Sequence, residues 1–145
     1  MTAPDTPQTQ LPALPALADF PFPTALVVTG APAPDDGVLY ESGDVDEIFP
    51  FASVTKPIVA WSALVAVDRG LLDLDAPAGA PAPDGATIGH LLSHSSGIAA
   101  DSDERLATPG TRRIYSNRGI EILGERLQEA TGTPLETWVE TTVLE

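Results

Sequence analysis

Phe51-Ala52-Ser53-Val54-Thr55-Lys56-Pro57 opens the most informative stretch of the chain. It runs directly into Ile58-Val59-Ala60-Trp61-Ser62-Ala63-Leu64-Val65-Ala66-Val67, ten residues with almost no polar face. A segment apolar all round predicts a buried helix, here over 54–69. Asp68-Arg69-Gly70 ends it, with Gly70 as the glycine past the last turn. Pro57 then has to sit in the first turn, where its missing N–H costs little. Proline also pushes the residue before it, Lys56, away from helical angles, so strain is expected at the helix start. Ser53 and Lys56 are three apart and share a face if the turn is helical. A serine hydroxyl becomes a nucleophile when a neighbouring base takes its proton. A lysine serves as that base when burial or another cation lowers its pKa from about 10.4. Phe49 and Phe51 offer a dry flank, and the helix N-terminus adds positive potential where an oxyanion would form. The plainer reading stays open: Ser53 or Thr55 caps the helix, and Lys56 is a solvated charge.

Upstream, Ala25-Leu26-Val27-Val28-Thr29 and Gly37-Val38-Leu39-Tyr40-Glu41 are β-branched runs. The Gly-, Pro- and Asp-rich residues 30–36 between them predict an antiparallel hairpin. Residues 47–51 are a third extended piece, which Pro50 marks as an edge or a loop. Residues 1–23 carry six prolines, at 4, 7, 12, 15, 21 and 23, and read as a disordered tail without a secretory signal. The expected organisation is therefore a tail over 1–23 and one domain over 24–145, in a cytoplasmic protein.

Downstream, residues 71–85 are a Pro/Ala/Asp-rich connection. Thr87 is placed to cap a short helix over 88–94 that Gly97 closes. Residues 99–109 are polar loop, and Pro109-Gly110 signals a turn. Asn117 is placed to cap a helix over 118–131, with Ile120, Leu123, Gly124 and Leu127 on one face and Gly132 as its stop. Thr133-Pro134-Leu135-Glu136 has the pattern of a capping box. Trp138 lies on the apolar stripe of the last helix.

Charge narrows the partners. Seven Lys+Arg against 21 Asp+Glu give a net charge of −14 across 145 residues, which repels phosphate backbones and anionic lipid. Neither nucleic acid nor a membrane is an expected partner, and no apolar run reaches the ~20 residues of a membrane span. With no cysteine, thiol nucleophiles and Cys-based metal sites are ruled out. His90 and His94 have a metal-ligand spacing without a third ligand, so packing and hydrogen bonding are expected of them and no cofactor or metal is.

A second locus is Tyr115-Ser116-Asn117, between the Pro109-Gly110 turn and the helix that follows. A phenol beside a lysine can relay protons, because the cation favours phenolate. Asn117 can orient a substrate amide or the lysine. Helix capping by Ser116 or Asn117, with Tyr115 as packing, explains the same residues without chemistry.

The ordered set is more specific than its members. Ser53-Val54-Thr55-Lys56 is followed by Gly70-Leu71-Leu72-Asp73-Leu74-Asp75, then His90-Leu91-Leu92-Ser93-His94-Ser95-Ser96-Gly97, Pro109-Gly110-Thr111 and Tyr115-Ser116-Asn117. In this order the chain closely resembles the serine β-lactamase / penicillin-binding-protein superfamily. Within it, the chain is most similar to the branch of class C β-lactamases, D-alanyl-D-alanine carboxypeptidases and related esterases. The resemblance spans residues 24–145. It implies a mixed α/β fold, a β-lactamase/transpeptidase-like αβα arrangement around an antiparallel sheet. It implies that Ser53 is the acylated nucleophile, Lys56 its activator, Tyr115 the base or proton relay and Asn117 the substrate-positioning residue. The Ser53 backbone N–H would contribute to the oxyanion hole, and the segment around His94 would be structural.

One departure stands out. The superfamily's third motif, K-T-G or H-x-G on a later inner strand, has no match here, and its members run about twice this length. The expectation is an acidic, truncated N-terminal part whose C-terminal strands are absent. Two functions follow. One is a hydrolase acting through an acyl-enzyme on a small ester, amide or β-lactam. The other is a catalytically incomplete piece that binds or complements. A C-terminal complementing segment is the expected partner.

Overall fold

A computed structural model of the chain describes residues 20–30 and 38–144. The tail expected over 1–23 and the loop expected over 30–36 lie mostly outside the described residues. The chain divides into two compact units, residues 1–50 and 51–145.

In the first unit, strand β1 (Ala25–Thr29) pairs antiparallel with β2 (Val38–Gly43). Val27 faces Glu41, and the register shifts between Val28 and Thr29. β2 runs two residues beyond its expected end, because the chain turns only at Gly43. There φ is +83°, and the Asp44 amide donates to the Thr24 carbonyl at 2.8 Å. The aromatic rings of Phe20 and Phe22 stack at 5.2 Å. Residues 48–50 form no strand, as the proline at position 50 leads one to expect.

The second unit is helical. A 3₁₀ turn (Ala52–Val54) leads without a break into α1 (Thr55–Asp68). Lys56 lies inside α1 directly before Pro57, in the helical region that a following proline disfavours, so the conflict expected at the helix start is present. Ala52, at the head of the 3₁₀ turn, adds to it with a φ of +46°. Helix α2 (Ile88–Leu92) is shorter than expected and α3 (Asn117–Thr131) longer by one residue. Helix α4 (Leu135–Val139) continues into a π turn (Glu140–Leu144).

Caps explain these boundaries. The Thr87 hydroxyl accepts from the His90 amide at 3.3 Å, and the Thr87 amide donates back to His90 Nδ1 at 3.1 Å. At α3 the cap is Ser116 rather than Asn117. Ser116 is extended, and its hydroxyl accepts from the Gly119 amide at 2.8 Å. Gly132 ends α3 with a φ of +65°. The capping box expected at Thr133 does not form, because Pro134 occupies the cap position, and the first amide of α4, that of Leu135, donates to Gln128 Oε1 at 2.8 Å instead.

The core joins Val59, Ala63 and Ala66 of α1 to Ile88 and Leu91 of α2, Ile122, Leu123 and Leu127 of α3, and Trp138 of α4. Trp138 Nε1 donates to the Ser62 carbonyl at 3.0 Å, which ties α4 to α1. Gly124 has no side chain because Leu135 packs there; an added Cβ would sit 2.8 Å from its Cδ2. Helix α1 is less buried than its composition predicts. Its small residues face the core, while Trp61 and Leu64 are 62% and 47% exposed.

Gly97 follows α2 with a φ of +84°, and a Cβ there would run into the Ala107 carbonyl. Gly97→Ala should destabilise by roughly 2–5 kcal/mol, combining left-handed strain with overpacking. A thermal melt of the intact protein checks this. An unchanged midpoint would mean that the 106–107 segment gives way freely.

Candidate active site

The 3₁₀ turn delivers Ser53 to the head of α1 on the same side as Lys56. Lys56 Nζ donates to Ser53 Oγ at 3.0 Å. Ser53 is exposed and Lys56 half-buried. Phe51, expected as part of a dry flank, is 62% exposed. Ser53 and Lys56, together with Tyr115 and His94, line a cleft of about 210 Å³. Ala60 of α1, Leu92 of α2 and Ile120 of α3 supply its apolar wall.

Tyr115 enters from the segment before α3. Lys56 Nζ is 4.9 Å from its ring centroid. Hydrogen bonding to Lys56 first, and to Ser53 second, holds the phenol below its ordinary pKa of 10.0, against a smaller opposing effect of burial. A cation beside a phenol favours the charged form. The Ser53–Lys56 pair, three residues apart, thus meets Tyr115 from a distant part of the chain in one cleft.

Asn117 is not part of it. Its amide donates to Asp101 Oδ1 at 2.5 Å, which turns it toward the 99–110 loop. The neighbouring Arg118 fastens the same loop, with Nε 2.6 Å from Asp103 and Nη1 3.2 Å from both Glu121 and Glu125. These bonds, Asp103 foremost, hold the guanidinium above the ordinary arginine range.

The two histidines are used separately. His90 closes the α2 capping box. The His94 ring packs on Tyr115 at 4.7 Å, and its Nδ1 accepts from the Ser116 amide at 3.2 Å. Among the described residues no group of three His, Cys, Asp or Glu side chains gathers as a metal site, and no helix is long and apolar enough to cross a membrane. Sequence reasoning gave His94 packing and hydrogen bonding without naming Tyr115 as the target. A left-handed φ of +56° points the ring there, and that angle has no reliable sequence signal.

The sequence profile of the family described as Beta-lactamase matches residues 30–145. The chain belongs to the beta-lactamase family. Members similar to it are hydrolases of the esterase and beta-lactamase type. Esterase EstB of Burkholderia gladioli is 35% identical over 142 aligned residues, covering 68% of this chain and 36% of that protein. A beta-lactamase from Mycobacterium bovis superposes with a TM-score of 0.76 at 44% identity, covering 90% of this chain and 46% of that one. An octameric penicillin-binding protein homologue from Pyrococcus abyssi shares the fold, with a TM-score of 0.68 at 23% identity over 83% of this chain and 37% of its own. The mixed α/β architecture with an antiparallel sheet is thus that of the beta-lactamase family. The chain spans less than half the length of these relatives.

Proposed function

We propose that the protein hydrolyses a small ester, amide or β-lactam through an acyl-enzyme on Ser53. The observation that carries this reading is the 3.0 Å contact between Lys56 Nζ and Ser53 Oγ at the head of α1, with the Tyr115 ring 4.9 Å from Lys56 Nζ in the same cleft. Ser53 Oγ attacks the substrate carbonyl while its proton passes to the phenolate of Tyr115. The Lys56 ammonium keeps that phenolate charged and donates toward the reacting oxygen. The Ser53 backbone N–H, at the positive end of α1, donates to the oxyanion. Tyr115 then protonates the leaving group as the tetrahedral species collapses to the Ser53 ester. Water attacks the ester and gives its proton to Tyr115, which passes that proton to Ser53 Oγ as the acid leaves, restoring the Ser53 hydroxyl and the phenolate. Asp101 holds one N–H of the Asn117 amide, which leaves the other N–H and Oδ1 to position substrate.

The test is covalent. The intact protein is treated with a fluorophosphonate or a fluorescent penicillin, and the adduct is mapped by mass spectrometry. An adduct on Ser53 supports the reading. One on Ser93, Ser95, Ser96 or Ser116 overturns it, and no adduct at all favours a binding or complementing piece.

The partner in this reading is a segment that covers α1. The chain spans 36% of the esterase and 46% of the beta-lactamase it resembles. On α1, Trp61, Leu64 and Val65 line an open apolar groove of about 310 Å³. Burying such a side chain is worth roughly 1.5–3 kcal/mol, against about 5–15 kcal/mol for a whole fold. Residues 1–145 without such a segment should therefore melt without cooperativity or self-associate, and should not turn over nitrocefin or p-nitrophenyl esters; labelling, turnover and melting of the intact protein are accordingly read with that segment supplied in cis or in trans. A cooperative monomeric melt with Ser53-dependent turnover would overturn the need for a covering segment.

A further inference from the structure

His94 holds Tyr115 from three sides. The Ile114 amide, just before Tyr115, donates to the His94 carbonyl at 2.8 Å. The Ser116 amide, just after it, donates to His94 Nδ1 at 3.2 Å. The imidazole itself lies against the phenol, with ring centroids 4.7 Å apart. Both peptide N–H groups that flank the tyrosine thus end on one residue. The anchor is fixed in turn: the His94 amide donates to the Leu91 carbonyl at 3.1 Å, at the end of α2. On the far side, buried Ser116 donates from its hydroxyl to the Ala99 carbonyl at 2.6 Å and caps α3. The contact through Nδ1 requires a lone pair on that nitrogen, which only the neutral ring has.

We propose that His94 is a positioning residue for the phenol of Tyr115 and that protonation of its ring releases the phenol, making the site sensitive to mild acid. The proposal rests on the acyl-enzyme reading for its effect on turnover, though not for the contact itself. An imidazolium has no acceptor for the Ser116 amide, so that bond must break. It also places a new cation beside the groups that face the ring. These are Lys56 from α1, and Arg113 and Tyr115 from the segment before α3. Lys56 and Arg113 are cations that oppose the change. Burial first, then Arg113 and Lys56, hold the His94 pKa below 6.5. The sign follows. Above pH 6.5 the neutral ring is favoured in both the folded and unfolded chain, and the contribution to stability is complete. As pH falls below 6.5, the unfolded chain takes up the proton first, and the contribution is lost down to the folded value.

The experiment uses the intact protein and two variants. His94→Ala removes the acceptor and the ring. His94→Asn supplies an amide oxygen as acceptor, tolerates the left-handed backbone and does not titrate. In H94A, kcat should fall by about 10²-fold with KM little changed, as expected for a misplaced proton-transfer group. Wild type should show an acid limb in its kcat profile below pH 6.5, and H94N should restore most of kcat at pH 8 and lack that limb. Imidazole ¹⁵N shifts of the wild type at pH 8 should report His94 protonated on Nε2 with Nδ1 accepting. That measurement holds whether or not Ser53 is acylated, so it separates the two ideas. A proton on Nδ1 at pH 8, wild-type kcat in H94A, or an unchanged acid limb in H94N would each overturn the role of His94. Failure to label Ser53 in wild type, with the Nδ1 contact intact, would overturn the hydrolase reading alone.

Discussion

Ser53→Ala should abolish covalent labelling and lower kcat on the order of 10⁶-fold, the loss expected when a serine nucleophile of this kind is removed. Ser53 is exposed in the 3₁₀ turn before α1, and its hydroxyl is bonded to Lys56 Nζ. Its removal opens no cavity in the core, so the melting temperature should change little. That pairing of effects separates a nucleophile from a helix cap, which would cost stability and leave turnover alone. The other serines along the same path are differently engaged. Ser116 is 1% exposed and caps α3, and Ser96 is 2% exposed. Ser93 and Ser95 bond each other at 2.8 Å, and Ser93 also donates to the Gly89 carbonyl at 2.7 Å. None of these four has an amine at hydrogen-bond distance comparable to Lys56. Turnover retained in S53A, measured with p-nitrophenyl esters and nitrocefin on the intact protein, would remove Ser53 from the chemistry.

The second large effect concerns Lys56 and Tyr115. Lys56→Ala and Tyr115→Phe should each lower kcat by roughly 10²–10⁴-fold. The double variant should be hardly worse than the poorer single one, because groups that move one proton together lose their function together. Their pH profiles should differ. Lys56 is the largest cause of the lowered phenol pKa, with Ser53 second. Without Lys56 the phenol returns toward its ordinary 10.0, so K56A should regain activity as the solution is made alkaline. Y115F has no hydroxyl to ionise and should stay flat. Multiplicative losses in the double variant, or an alkaline recovery in Y115F, would show that the two residues act separately.

Features fixed by neighbours in sequence were legible. The hairpin of β1 and β2 follows from two β-branched runs around a turn-forming segment. The three-residue spacing of Ser53 and Lys56 is enough to bring their side chains together at a helix start. Thr87, Gly70 and Gly132 were readable as helix boundaries because a cap or a left-handed turn is satisfied within a few residues. Ser116 took the capping role assigned to Asn117 because its hydroxyl reaches the Gly119 amide and the Ala99 carbonyl together. That second bond comes from another part of the chain.

The sequence by itself determined the Ser53–Lys56 pair, the order of the elements and the family to which the chain belongs, since each rests on local spacing or on motifs in series. The tertiary structure alone decided what surrounds that pair. It brought Tyr115 over Lys56 and turned Asn117 away to Asp101. It set His94 against the phenol through a left-handed backbone angle. It also divided the uniformly apolar α1 into a buried face of small residues and an open face bearing Trp61 and Leu64. The reason is physical. Helical periodicity tells which residues share a face, but which face meets a neighbour depends on packing between segments distant in the chain, where shape and hydrogen-bond partners choose among faces of equal hydrophobicity.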